Sequence, residues 1–167
     1  MKKRIGIALI LALGFQCVVL TGMVVSAALP LWTGTQIRVK TVPVDPRSLF
    51  RGNYARLAYP FSRVDAEKMP DKNDLRNGEI VYVLLKHGKD GLHEFDRVVL
   101  EKPAHGLFLR GRVQNRHQTV RIRYGIEAFF APKEKALQLE KDLQTEGIAV
   151  LMVSKSGKAR LKAVVGN

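Results

Sequence analysis

Between Arg4 and Arg38 the chain carries no formal charge, and from Ile5 to Leu31 it is almost wholly apolar, with Gln16 the one strongly polar side chain. A helix needs about 20 apolar residues to cross a hydrocarbon layer of roughly 30 Å, so this run is long enough to span a bilayer. Lys2, Lys3 and Arg4 precede it, and by the positive-inside rule they hold the N-terminus in the cytoplasm. Arg38, Lys40 and Arg47 follow it at a greater distance and weaken that bias. Pro30 is expected to break the helix, and Trp32 to sit at the membrane interface. Val25-Ser26-Ala27 offers the small residues of a signal-peptidase site, but the run is about twice a normal 7–15-residue signal core. An uncleaved anchor is therefore the reading favoured. The chain divides into a cytoplasmic start and transmembrane anchor over 1–35 and an extracytoplasmic domain over 36–167.

About 130 residues remain after the anchor, the size of one domain with one core. The whole chain has 28 Lys and Arg against 15 Asp and Glu, a formal net charge of +13. Such a balance suits a polyanion or an anionic lipid surface. The anchor argues for the lipid bilayer as partner and against nucleic acid. The single cysteine, Cys17, lies inside the apolar run, where it can form neither an intrachain disulfide nor a cysteine metal cluster. Gln16 before it is too bulky for a lipoprotein signal.

The domain reads as strands. Gln36 to Val42 alternates, with Ile37 and Val39 on one face and Arg38 and Lys40 on the other. Pro43 and Pro46 end it. Tyr54 to Tyr59, Glu79 to Leu85, Phe95 to Glu101, Leu107 to Gln114 and Thr119 to Tyr124 follow, with a hairpin turn at Asp90-Gly91 and another turn at Asn115 to His117. Pro132 to Thr145 is the one expected helix: Pro132 suits a first helical position, and Ala136, Leu139 and Leu143 make an apolar stripe. Gly147 to Val153 and Lys158 to Val164 close the chain as a hairpin around Ser156-Gly157. The fold class is all-β or β-dominated α+β: a transmembrane helix, then one antiparallel β-rich domain with a single helix.

Arg110 and Arg112 share one parity on their strand, and Arg121 and Arg123 share one on the next. If those strands pair, four arginines line one face. That face is either an ordinary solvated surface or an anion-binding one, with anionic headgroups as the expected ligand. In the anchor, Ala8, Ala12, Phe15, Val19, Gly22 and Ser26 recur at spacings of four and three, a seam along which a second membrane helix could pack closely. Gln16 borders it.

No catalytic constellation stands out. His87, His93, His105 and His117 fall near turns without ligand spacing, so neither a metal nor a cofactor is expected. Ser48, Ser62, Ser154 and Ser156 lack a nucleophile context. Two function classes remain: a membrane-tethered binding or assembly module, and an envelope hydrolase comparable to the serine-lysine membrane peptidases. The second is fold-level analogy, and the serine motif it needs is absent.

The segment from Pro43 to Tyr59, Pro-Val-Asp-Pro-Arg-Ser-Leu-Phe-Arg-Gly-Asn-Tyr-Ala-Arg-Leu-Ala-Tyr, resembles the signature of the GDYXXLXY family, seen here as Gly52, Asn53, Tyr54, Leu57 and Tyr59. The run from Tyr124 through Glu127 to Phe130, with Glu140 beyond it, is similar to that family's second block. The resemblance implies an envelope protein in the inner membrane of a bacterium, in some cases encoded beside a multipass membrane protein. It brings no established substrate, cofactor or catalytic residue. Asn53 stands where the family has aspartate. It can shape a turn but cannot act as a carboxylate base or a charged metal ligand. Asp45, Arg47 and Arg51 could form a polar cluster beside the motif. Glu127, in an otherwise apolar run, needs a partner if buried. An arginine among Arg47, Arg51 and Arg56 is the expected one, which would pack the motif against the Glu127 segment.

Overall fold

The computed structural model describes residues 2–42, 54–70, 75–116, 119–130 and 147–166. A single long helix, α1 (Lys2–Thr33), leads without a linker into strand β1 (Thr35–Lys40). The strands that follow are β2 (Tyr54–Arg56), β3 (Arg63–Asp65), β4 (Ile80–His87), β5 (His93–Val99), β6 (Leu107–Arg116), β7 (Thr119–Arg123), β8 (Ala128–Phe130), β9 (Gly147–Val153) and β10 (Ala159–Gly166). The chain is thus an apolar helix followed by an antiparallel β-rich domain, as the patterning predicts. The expected helix Pro132–Thr145, with Glu140, lies outside the described residues.

Every described strand pairing is antiparallel. The strands form a three-stranded sheet in the order β1-β9-β10, a five-stranded sheet in the order β3-β7-β6-β4-β5, and the ribbon β2-β8. Period-two alternation decides which faces meet. Ile37, Val39, Ala149, Leu151 and Val153 from the first sheet, and Val64, Val81, Val83, Leu109, Val113, Val120 and Ile122 from the second, are buried in one shared core. Each full burial of such an aliphatic side chain contributes about 1.5–3 kcal/mol. The outer faces of the two sheets therefore point away from each other. The turn between β9 and β10 also ties the sheets together, since Arg110 N donates to the Gly157 carbonyl at 2.8 Å.

Two strands escape the sequence pattern. β3 and β8 have three residues each, too few to show alternation. The turn expected at Asn115 is also displaced. β6 runs on through Asn115 and Arg116, because a bulge between Val113 and Asn115 absorbs one residue and the ladder with β7 resumes. Asp90-Gly91 makes the β4–β5 turn as expected, with φ of 60° and 69°.

Pro30 does not break the helix. It lies inside α1, three residues before the C-terminal end. Proline removes only the bond to the carbonyl four residues back, and later residues can still close the last turn. Gly34 N donates to the Pro30 carbonyl at 3.0 Å, and Thr33 Oγ1 donates to the Leu29 carbonyl at 3.0 Å. From Ile5 to Thr33 the helix is long and apolar enough to cross a membrane, and none of its most apolar window is buried against the rest of the chain.

The end of α1 packs on β9 and β10. Met152 points to the outer face of its sheet yet is 8% exposed, and Pro30 is buried, as this contact requires. Arg160, opposite Met152 in the ladder, donates from Nε to the Ala27 carbonyl at 3.2 Å. Gly34 permits the close approach. A Cβ there would stand 2.3 Å from the Pro30 carbonyl oxygen and 3.0 Å from the Val153 backbone. Because those neighbours are backbone atoms, Gly34→Ala should force the junction apart and cost about 1–3 kcal/mol by overpacking. Urea unfolding of the full chain in detergent measures this, and an unchanged midpoint would mean that the helix is not held on the sheet.

Candidate functional site: the motif cluster and an arginine-lined sheet face

The two motif blocks meet. β2 pairs with β8, setting Tyr54 opposite Phe130 and Arg56 opposite Ala128, and Leu57 N donates to the Glu127 carbonyl at 2.9 Å. Leu57, Tyr59 and Tyr124 are buried. Phe61 stacks on Tyr59 with ring centroids 5.3 Å apart, and meets Tyr124 edge-on at the same separation. Tyr59 Oη donates to the Ile126 carbonyl at 2.8 Å, and Tyr124 Oη to the Phe61 carbonyl at 2.7 Å. Burial, and secondarily the nearby Glu127 carboxylate, raise both phenol pKa values well above the ordinary range. These hydroxyls hold their protons and serve as fixed donors, not as acids or bases.

Glu127 is half-buried and finds its partners in the backbone. Its carboxylate accepts from Tyr124 N at 2.5 Å and Gly125 N at 2.9 Å. Gly125 has φ of 81°, a conformation open to glycine, which lets the chain curl round the carboxylate. Asp45, Arg47, Arg51, Gly52 and Asn53 lie outside the described residues, as do the side chains of Tyr54 and Arg56. The described ends of the motif segment and of the expected helix come together: Tyr54 faces Phe130, while Thr41 Oγ1 donates to the Gly147 carbonyl at 2.9 Å. The Thr41–Gly147 contact lies at the end of β1 remote from α1.

The second feature is a basic sheet face. The register sets Arg112 opposite Arg123, and strand parity puts Arg110 and Arg121 on the same side. β3 adds a fifth arginine that the sequence reading missed, since Arg63 faces Arg121 directly. Arg63, Arg112, Arg121 and Arg123 are exposed and Arg110 is half-buried. Like charges directly opposite on neighbouring strands repel. Arg112 eases one pair by donating from Nη1 to the Gly78 carbonyl at 2.8 Å. Among the described residues the carboxylates in ion pairs are Asp65, with Lys68, and Asp96, with Arg97, so none pairs with the five. The face is on the outer side of the five-stranded sheet, whereas α1 packs on the three-stranded one.

The β4–β5 hairpin also joins two histidines whose sequence spacing gave no ligand signal. His87 and His93 are cross-strand partners with ring centroids 4.6 Å apart. Two imidazoles supply half of a tetrahedral zinc shell. No group of three ligand-type side chains gathers among the described residues. His93 has its pKa lowered by burial first and by His87 second. Nor does any described serine meet a lysine amine: Ser154 Oγ bonds Ser156 Oγ and the Lys158 carbonyl, and Ser62 Oγ is buried without a partner.

Two measurements check this description. Glu127→Ala strips two charge-assisted acceptors from a tight turn and should lower unfolding free energy by about 1.5–3 kcal/mol. A loss within error in denaturant titrations would mean that the turn holds without the carboxylate. The depressed pKa of His93 makes its protonation oppose folding. The stability it contributes is fully present above the ordinary histidine pKa of about 6.5 and is lost as pH falls through the lower folded value. His93→Gln should flatten that acid limb of a stability–pH profile, and an unaltered limb would exclude the hairpin as its source.

No curated protein and no solved structure matches the chain. A family model described as GDYXXLXY protein matches residues 16–164, which include the apolar helix from Gln16 onward, both motif blocks and the arginine-bearing strands. The chain belongs to the GDYXXLXY family.

Proposed function

We propose that this chain is a non-catalytic binding or assembly module, anchored by α1 in the inner membrane of a bacterium with its N-terminus in the cytoplasm and its β domain in the periplasm. The domain offers its arginine face to an acidic surface of a partner in the envelope, and the partner is a multipass membrane protein. The observation that carries this reading is the register of the face: two arginine–arginine pairs stand directly opposite, Arg63 with Arg121 and Arg112 with Arg123, and no described carboxylate neutralises them. A merely solvated surface mixes signs to avoid such repulsion. An anionic partner removes it. Anionic headgroups, the ligand expected from sequence, suit this face less well, because it is turned away from the sheet that bears the anchor.

The anchor supports the same reading. Its seam residues Ala8, Ala12, Phe15, Val19, Gly22 and Ser26 are all exposed. A Cβ added at Gly22 would meet nothing within 4 Å. Small residues at that spacing admit the backbone of a second membrane helix.

The test uses the full chain in nanodiscs with a fluorescent polyglutamate peptide as the acidic probe. Binding should weaken with added salt and fall at least tenfold in Arg121→Glu/Arg123→Glu. Arg123→Thr, which keeps strand propensity and removes one like-charge contact, should raise stability by about 0.2–1 kcal/mol while weakening binding. Salt-independent binding, or a destabilised Arg123→Thr, would remove the basis for a docking face. For the seam, Ala12→Leu/Gln16→Val/Gly22→Leu should leave insertion intact and reduce helix association measured by energy transfer in the membrane. Unchanged association would leave α1 a plain tether.

A further inference from the structure

We propose that the outer face of the β1-β9-β10 sheet is a phospholipid clamp, in which Arg160 and Lys162 hold phosphate headgroups of the bilayer that α1 crosses. The inference rests on the anchoring role of α1 proposed above, and is independent of the arginine face.

It starts from length. The apolar span Ile5–Thr33 has 29 residues. At about 1.5 Å per residue such a helix is roughly 43 Å long, against a hydrocarbon layer of about 30 Å. About 13 Å, some two turns, is in excess of the hydrocarbon. The Arg160 contact fixes where. A guanidinium whose Nε donates to the Ala27 carbonyl cannot sit in hydrocarbon, so Ala27 stands at its edge or beyond. Trp32, 71% exposed on the same stretch, suits that layer.

The domain cannot leave this depth, because α1 is packed on β9 and β10 and only Gly34 separates it from β1. The sheet face beside the helix is therefore at the headgroups. The charged side chains on the strands of that face are all cationic: Arg38, Arg160 and Lys162 are exposed, and no strand of the sheet contains an aspartate or glutamate. Lys162 is the extra residue of a bulge between Leu161 and Ala163, which turns it to the same side as Arg160 and lets Nζ donate to Gln36 Oε1 at 2.9 Å. The Gln36 contact occupies one of three ammonium donors, and the Ala27 contact one of five guanidinium donors. The remaining donors are chemically matched to phosphate oxygens: the guanidinium as a fork, the ammonium as a point charge.

The experiment reconstitutes the full chain in vesicles of phosphatidylcholine and phosphatidylglycerol at 7:3, with a trace of phosphatidylglycerol bearing a photoreactive headgroup. After irradiation, the crosslinked peptides are mapped. Crosslinks should fall on residues 154–166 and drop at least fivefold in Arg160→Gln/Lys162→Gln. Lys162→Gln alone, which leaves the Ala27 contact untouched, should lose part of the signal, and Arg160→Lys should retain most of it. Resistance to carbonate extraction is read in parallel and should hold for every variant. A chain that resists extraction but crosslinks elsewhere, or equally well in the double variant, overturns the clamp and leaves the anchor standing. Extraction of the unaltered chain overturns the anchor, and the clamp with it.

Discussion

Strand β9 is apolar on both faces, and much of the molecule is arranged to cover it. Its inward residues Ala149, Leu151 and Val153 meet the five-stranded sheet in the core. Among the described residues its outward side chains Ile148, Val150 and Met152 have no second sheet above them, and the end of α1 lies over the Met152 end. A half-exposed sheet normally shows polar residues outward. Here the departure from alternation is what welds an otherwise separate helix to the domain. The hydrophobic drive is non-directional, so it cannot fix the angle of that weld. The close backbone approach at Gly34 and the Arg160–Ala27 hydrogen bond supply the direction.

The family motif belongs to a different part of the architecture. Its two blocks are far apart in sequence but form one ribbon, locked by phenol-to-carbonyl hydrogen bonds and by a carboxylate that closes the 124–127 turn. Buried polar groups of this kind are costly when left unmatched, so residue identities within the cluster depend on one another. With its hydroxyls held as donors, the described cluster fixes geometry. The proposed recognition chemistry sits elsewhere, on the arginines of β3, β6 and β7 and on the side of the three-stranded sheet that bears α1.

Much of this was legible in the sequence, for local reasons. The span followed from an unbroken apolar run, and eight strands from alternation or β-branched content. The Asp90-Gly91 turn followed from residues that tolerate positive φ. Arg110, Arg112, Arg121 and Arg123 could be put on one face by parity alone. What stayed hidden depended on contacts distant in sequence. Arg63 sits on a three-residue strand whose place beside β7 no local pattern reveals. The His87–His93 pair follows from hairpin register, not from ligand spacing. Pro30 does not end the helix because a proline removes one bond, to the carbonyl four residues back, and the residues after it still bond within the helix. The backbone partners of Glu127 also stayed hidden, since N–H groups curled round a carboxylate leave no signature beyond a nearby glycine; the arginines expected beside it, Arg47, Arg51 and the side chain of Arg56, lie outside the described residues.

The central claim is one of orientation: the three-stranded sheet faces the headgroups and the arginine face points away from them. Packed sheets lie about 10 Å apart, so residues on the two outer faces are separated by at least that much. Spin labels on single cysteines, introduced by Ala163→Cys or Arg121→Cys in a Cys17→Ser background, measure this directly in vesicles carrying nickel-chelating headgroups. The account predicts strong collisional relaxation of the label at position 163 and weak relaxation at position 121. Equal relaxation, or the reverse order, would contradict it.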